Sequence, residues 1–307
     1  MKKTKLRLTL EVISAMLLSF GIWYERGVLV DSWHILRNST VAYAIPCFLL
    51  VWLNFLWSGV GYKLLAPKIK LSQVSMAHLA ASGPGRVIPG GAGHMSFGVL
   101  FLKKQGYKLE QSVAVALTNN IAGFMVNSLL LLSIIIIKPA LVTDITVSVY
   151  RLIWLCVFVL SLLTGLVVYS RYKGKRNIIA RSQKALAALS KSRLKKPSIA
   201  LGLVMTMLAT ITTNTAILFL ASKATGLDIS VWQSFFVTSM GVAAGSLLPT
   251  PGGIGGVEAG LIATLSVLGY DITTATATAL LFRSATYLQP FIPGIVAYLY
   301  LRSRKLL

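Results

Sequence analysis

The chain has 307 residues, of which 55% are hydrophobic and 12% are charged, and its mean hydropathy is +0.75. Long apolar stretches of this kind indicate a membrane-embedded chain. The formal net charge of +22 does not indicate a nucleic-acid partner, because the basic residues follow the ends of the apolar segments.

Five segments are close to the roughly 20 residues that a helix needs to cross a bilayer. They are residues 41–60, 113–137, 152–169, 199–221 and 275–301. A sixth, residues 8–24, has a basic start and contains Glu11. It resembles a signal peptide, but no small-x-small cleavage site follows it, so we expect a retained helix.

Two glycine-proline clusters interrupt the apolar sequence. They read Arg86-Val87-Ile88-Pro89-Gly90-Gly91-Ala92-Gly93 and Leu248-Pro249-Thr250-Pro251-Gly252-Gly253-Ile254-Gly255-Gly256-Val257-Glu258. The flanks of the first, residues 71–83 and 89–102, are too short to span and predict a re-entrant helical hairpin. The flanks of the second, residues 231–248 and 253–268, are long enough to re-enter or to cross fully.

The two clusters resemble each other, since Pro89-Gly90-Gly91-x-Gly93 aligns with Pro251-Gly252-Gly253-x-Gly255. Gly106-Tyr107 then falls within one residue of Gly269-Tyr270. Thirteen residues beyond each pair, a polar residue interrupts an apolar run, Asn120 in one copy and Arg283 in the other. Helix breakers at matching places in two halves of a membrane protein point to a transporter's binding site.

The distribution of charge predicts the topology. Lys and Arg concentrate in alternate loops, and most acidic residues lie in the others, so the positive-inside rule places both termini in the cytoplasm. The first hairpin lies between the cytoplasmic Lys70 and Lys103, and the second lies between the external Asp228 and Asp271. We therefore predict an all-α integral membrane protein with an inverted repeat of two broken or re-entrant helical hairpins.

These predictions give one polytopic membrane domain over residues 1–307. Its parts are N-terminal spans in 1–60, a first repeat in 61–170 with its hairpin at 71–102, a basic linker at 171–197, and a second repeat in 198–307 with its hairpin at 231–268. The linker has a broken apolar stripe, which favours an amphipathic helix on an anionic membrane surface. A solvated cytoplasmic loop is the alternative.

No pattern in the sequence predicts a catalytic, metal or cofactor site. Cys47 and Cys156 both lie in apolar segments and are typical of buried hydrophobic residues. His34, His78 and His94 are scattered, without metal-ligand spacing. The second cluster also lacks the Lys-Ser/Thr ending of a nucleotide-binding loop.

The clusters can bind an anion if each opens a helix at membrane depth. Thr250 followed by Pro251 resembles an N-cap and a first helical residue. Such a helix start carries partial positive charge and exposes N–H groups to a phosphate or carboxylate. The alternative is that the glycines serve only tight turns and close helix packing.

Arg86 and Arg283 lie within membrane-depth sequence, where an unpaired charge is costly. Glu258 is the expected partner, either in a structural Arg–Glu pair or beside a lipid phosphate or coupling proton. His94 is a candidate for a headgroup or proton role, and Asn120 for the site or for interhelical packing. The predicted substrate-binding residues are Arg86, Gly90, Gly91, Gly93, His94, Asn120, Gly252, Gly253, Gly255, Gly256, Glu258 and Arg283.

The second cluster with Glu258 resembles the lysylphosphatidylglycerol synthase transmembrane-domain family. The first cluster, Lys103-Lys104-Gln105-Gly106 and the tail Arg283…Pro290…Pro293-Gly294 are similar to it as well. The resemblance implies an integral inner-membrane protein of a family associated with flipping aminoacylated phosphatidylglycerol. Full-length synthases carry a separate soluble transferase domain, which we do not expect here because the sequence ends at Leu307.

The expected function is translocation of an anionic phospholipid or a polyprenyl-phosphate-linked lipid between leaflets. The expected partners are the anionic lipid headgroup and the membrane. The alternatives are a membrane subunit or relative of an aminoacyl-phosphatidylglycerol synthase, partnered by a separate lipid-modifying enzyme, and a transporter for a small soluble anion. The more charged form of the first cluster that the synthases carry is absent, which leaves the headgroup open. The oligomeric state and the coupling ion are open too.

Overall fold

The computed structural model describes residues 26–87, 92–138, 193–247, 250 and 252–307, and a few positions between 180 and 187. These residues are mostly helical and contain no strand. The helices are α1 (Arg26–Arg37), α2 (Val41–Leu65), α3 (Leu71–Ala81), α4 (Ala92–Lys104), α5 (Leu109–Ile137), α6 (Pro197–Ala224), α7 (Val231–Leu247), α8 (Gly256–Val267), α9 (Ile272–Arg283) and α10 (Phe291–Ser303).

Three of these helices, α2, α5 and α6, are long and apolar enough to cross a membrane. They match the predicted spans at 41–60, 113–137 and 199–221, and the all-α membrane class is confirmed. The predicted spans at 8–24 and 152–169 lie outside the described residues, as does most of the linker at 171–197.

The predicted span at 275–301 is wrong as one continuous helix. α9 ends at Arg283, a π-helical turn follows at Ser284–Leu288, and α10 begins at Phe291. The break falls at Pro290, which has no backbone N–H to continue the helical hydrogen bonds. The last apolar segment is therefore divided between two half-helices.

α2 and α6 form an antiparallel pair through the middle of the molecule. Near one end the Cys47 thiol donates to the Ile217 carbonyl at 3.3 Å. Further along, Asn54 Nδ2 donates to Asn214 Oδ1 at 3.0 Å. Residues later in α2 therefore pair with residues earlier in α6. The C-terminal end of α2 lies beside the N-terminal end of α6.

The two hairpins pack on opposite ends of this pair. The first, α3 and α4, shares a core with the C-terminal end of α2 and the N-terminal end of α6. The second, α7 and α8, shares a core with the N-terminal end of α2 and the C-terminal end of α6. Opposite ends of a spanning helix face opposite sides of a membrane, so this packing supports hairpins of opposite orientation. The twofold relation between the repeats stays a prediction.

The Gly-Tyr pairs end their hairpins in the same way. Gly106 has φ +86° and Gly269 has φ +87°, the left-handed conformation that glycine adopts without strain. Tyr107 N donates to Leu102 O and Tyr270 N donates to Leu265 O, each at 3.1 Å. Both helices thus close with the same Schellman-type bond, so the sequence alignment corresponds to a shared local structure.

Candidate functional site

The first hairpin contributes Arg86, which lies on a 3₁₀ turn between α3 and α4 and is only 7% exposed. Its Nη2 donates to the carbonyl of Thr286 at 2.9 Å, and its Nη1 donates to the carbonyl of Tyr287. In an α-helix the Thr286 carbonyl would accept from residue 290, but that residue is a proline. Arg86 therefore supplies donors to a helix end that the sequence leaves incomplete.

The second hairpin turns on three glycines with positive φ. Gly252, Gly253 and Gly255 have φ of +61°, +71° and +81°, a region that side chains with a Cβ rarely adopt. α8 begins only at Gly256, with Gly255 as its N-cap. The predicted N-cap at Thr250–Pro251 is therefore wrong, because the left-handed glycines that follow cannot continue a right-handed helix.

Glu258 stands at the start of α8 and holds two partners. Its Oε2 accepts from the N–H of Gly255 at 2.9 Å, and its Oε1 accepts from Arg283 Nε at 2.8 Å. Arg283 also approaches the Gly252 carbonyl with Nη2, at 3.4 Å. The predicted Arg–Glu pairing is present. The carboxylate occupies the helix start where the sequence predicted a bound anion.

Tyr287 joins the two arginines. The guanidinium carbon of Arg86 lies 4.0 Å from the ring centroid, and that of Arg283 lies 4.6 Å from it. The bare backbone of Gly252 packs against the same ring, since a Cβ there would come within 2.5 Å of Tyr287 Cε2. The tips of two hairpins far apart in sequence therefore meet at one aromatic side chain.

Tyr287 was not among the predicted site residues. A usable signal was present, because Tyr287 follows Arg283 by four residues, the spacing that puts two side chains on one helical face. Its contact with Arg86, 201 residues away, had no sequence signal. The same holds for the carbonyls that Arg86 caps.

The charges at this meeting point do not balance. The meeting point contains the guanidiniums of Arg86 and Arg283 but one carboxylate, Glu258, which pairs with Arg283, and the described contacts supply no second acid there. Carbonyl oxygens and an aromatic face stabilise the remaining positive charge without neutralising it. One bound anion would therefore balance the charge of this arrangement, and no cation would have to bind with it.

His94 directly follows the first glycine-proline cluster and lies in the first turn of α4. Its Nε2 lies 3.5 Å from the hydroxyl of Ser82, and its side chain stays accessible although protein crowds around it. The backbone of Gly93 packs on Gly85, since a Cβ there would overlap the Gly85 carbonyl. Gly90 and Gly91 lie outside the described residues, and their proposed role stays a prediction.

Asn120 lies on an exposed face of α5. The described hydrogen bonds and ring contacts that join the two tips do not include it. Its neighbour Asn119 instead turns toward Gly61 of α2 and keeps a buried Oδ1 without a hydrogen-bond partner. Among the described residues, no group of three His, Cys, Asp or Glu side chains is placed to hold a metal ion.

A family model described as the lysylphosphatidylglycerol synthase TM region matches residues 11–294. The chain belongs to this family. A search among curated proteins finds no match. The matched region contains both hairpins, Tyr287 and the break at Pro290.

Membership of this family indicates a membrane protein with a lipid-related function. The tips of the two hairpins, where Arg86, Glu258, Arg283 and Tyr287 meet, are the candidate site for that function. We refer to these four residues as the tip cluster.

Proposed function

We propose that the protein moves an anionic lipid, a phospholipid or a polyprenyl-phosphate-linked lipid, between the leaflets of the membrane. The phosphate binds at the tip cluster, and the acyl or prenyl tail stays in the bilayer. The family membership supports a lipid-related function, and the hairpins packed at opposite ends of α2 and α6 support access from both leaflets.

The observation that carries the proposal is the uncompensated arginine of the tip cluster. An arginine at the centre of a spanning helix costs at least about 2.5–3.5 kcal/mol and is usually paired or functional. Here the buried Arg86 has only carbonyl and ring partners among the described residues, and the one carboxylate of the cluster pairs with Arg283. The oxygens of a phosphate, like those of a carboxylate, match the planar donors of a guanidinium.

Binding requires an exchange of partners at α8. Arg283 and the N–H of Gly255 both bind Glu258 in this structure. A phosphate at the same place would take over both donors and displace the carboxylate. Glu258 thus neutralises Arg283 while no lipid is bound, so that the site need not hold two unpaired cations in a poorly solvated place.

The test uses purified protein in liposomes that contain a fluorescent phosphatidylglycerol, with the leaflet of the probe read by chemical quenching. We compare the wild type with Arg283→Ala, and use Arg304→Ala as the control. Arg304 is exposed and also stacks on a tyrosine, Tyr300, at 5.7 Å, but it lies outside the tip cluster. Size-exclusion profiles establish that each variant folds.

We expect faster translocation than in empty liposomes for the wild type and Arg304→Ala, and at least a tenfold loss for Arg283→Ala. Equal rates in all samples and in empty liposomes, repeated with several anionic lipids including a polyprenyl phosphate, would exclude a flippase. A soluble transferase that co-purifies with the protein would then favour the alternative of a membrane subunit of a lipid-modifying enzyme.

A further inference from the structure

A second cluster of titratable groups lies behind Arg86, on the first hairpin. His78 of α3 is 7% exposed, and its Nε2 is buried without a hydrogen-bond partner among the described residues. Its ring packs edge-to-face on Tyr62 of α2, with 4.6 Å between the ring centroids. A buried imidazole nitrogen without a partner is costly, and such groups often have a functional reason.

His78 connects to the tip cluster through Ser82 and His94. Ser82 follows His78 by four residues, one turn along the same face of α3. The Ser82 hydroxyl reaches His94 Nε2 at 3.5 Å. Gly93 and Gly85, which directly precede His94 and Arg86, pack backbone to backbone and so bring these two residues together. The order His78, Ser82, His94, Arg86 thus leads from the core to the anion site.

We propose that His94 and His78 bind a proton together with the lipid headgroup, so that the proton is the ion linked to this site. The inference rests on the proposed function. While Arg86 is unpaired, its charge opposes a second positive charge on His94. An anion at Arg86 cancels that repulsion, and an imidazole takes a proton from solvent, which it returns when the lipid leaves. By linkage, protonation strengthens headgroup binding by the same factor.

Among the described residues, no hydrogen bond or ion pair joins His94 to an acid that would hold the proton in the absence of lipid. The nearby basic groups are Arg86, on the 3₁₀ turn, and His78, on α3. α2 meets α4 with Tyr62 at Gly98, and α10 meets it with Tyr298 at Phe97. α5 packs apolar side chains such as Val115 and Ala116 into this core, and it carries Glu110 in its first turn. Glu258 is the acid of the tip cluster, and the experiment must separate its protonation from that of the histidines.

The experiment measures binding of dihexanoyl phosphatidylglycerol to the full chain in detergent by titration calorimetry at pH 6. Two buffers with different ionisation enthalpies are used, because their difference in heat counts the protons taken up. The chain has three histidines, so His34→Gln, on the exposed face of α1, is the matched control for His94→Gln and His78→Gln. Glu258→Gln tests the acid.

We expect proton uptake approaching one per headgroup in the wild type and His34→Gln, and a loss of at least half in His94→Gln and His78→Gln. Because Glu258 belongs to the tip cluster, Glu258→Gln is compared only for the protons taken up per headgroup bound. Affinity should rise as the pH falls from 7.5 to 5.5, by up to about tenfold per pH unit, the limit for one linked proton. His94→Gln decides the question if His78→Gln does not fold, because His94 is accessible.

Other outcomes overturn the inference in distinguishable ways. Binding with equal heat in both buffers would show that no proton is taken up. The proposed function would then stand, and the proton linkage would be excluded. Uptake that survives both histidine substitutions and disappears in Glu258→Gln would assign the proton to the carboxylate. The absence of binding heat for any anionic lipid would remove the proposed function and this inference together.

Discussion

Arg86 replaces the hydrogen bond that Pro290 cannot donate. The proline interrupts the helix after the π-helical turn, and the guanidinium reaches across from the first hairpin to the carbonyl of Thr286, at 2.9 Å. One half of the chain therefore completes a helix end in the other half. This contact has a structural part that can be separated from any role in binding lipid.

The structural role of Arg86 can be tested with Arg86→Ala in the wild type and in Pro290→Ala. In the wild type we expect Arg86→Ala to lower the free energy of unfolding by about 2–3 kcal/mol, because a charged donor leaves buried carbonyls unsatisfied. In Pro290→Ala, the new N–H can bond to Thr286, and the loss should shrink by about 1 kcal/mol. Denaturant unfolding in detergent measures both. Equal losses in the two backgrounds would contradict the capping role.

The ion pair of Glu258 and Arg283 allows the structural alternative to be tested against the functional one. Glu258→Ala should cost about 3–5 kcal/mol, because it leaves Arg283 without its charge partner. The double variant Glu258→Gln with Arg283→Gln removes both charges and should recover most of that stability. If the pair is only structural, translocation recovers as well. We expect the stability to return and translocation to stay at least tenfold low.

Tyr287 should act through its ring and not through its hydroxyl, since both arginines lie over the ring. Tyr287→Phe should keep near wild-type translocation, whereas Tyr287→Leu should lose about 0.5–2 kcal/mol of cation–π stabilisation for each arginine and most of the rate. Tyr300→Leu removes the corresponding contact with Arg304 and should leave the rate unchanged. Loss of activity in Tyr287→Phe would show that the hydroxyl matters.

Asp271 gives a prediction for acid stability outside the spanning helices. Its carboxylate caps α9 by accepting from Thr274 N at 3.0 Å, and this hydrogen bond lowers the pKa of Asp271 below its ordinary 3.8. The charged form is therefore favoured in the fold. Its stabilisation is complete above the ordinary pKa and is lost as the pH falls through the lower value in the folded state.

The matched control is Asp271→Asn, which keeps a side-chain oxygen for the cap without the titrating charge. The difference in melting temperature between the wild type and this variant should decrease as the pH falls from about 5 to 3. A difference that stays constant across this range would contradict the assignment.

The lengths of the apolar segments and the positions of the helix breakers were enough to predict much of the fold from the sequence. The three longest described helices, the bounds of both hairpins within a few residues and the Glu258–Arg283 pair were predicted, because each depends on the chemistry of a short segment or on the cost of an unpaired charge in a membrane. The opposite orientation of the hairpins was predicted from charged flanks. The packing at opposite ends of α2 and α6 agrees with it.

Only the tertiary structure placed Tyr287 between two arginines, gave Arg86 its carbonyl acceptors and brought His94 to the Ser82 hydroxyl. These contacts join segments up to 201 residues apart, and no local pattern specifies them. The break at Pro290 and the start of α8 at Gly256 instead of Pro251 also depended on tertiary contacts. A proline or a glycine makes a break possible, but whether the helix ends there depends on which neighbouring group satisfies the backbone that it exposes.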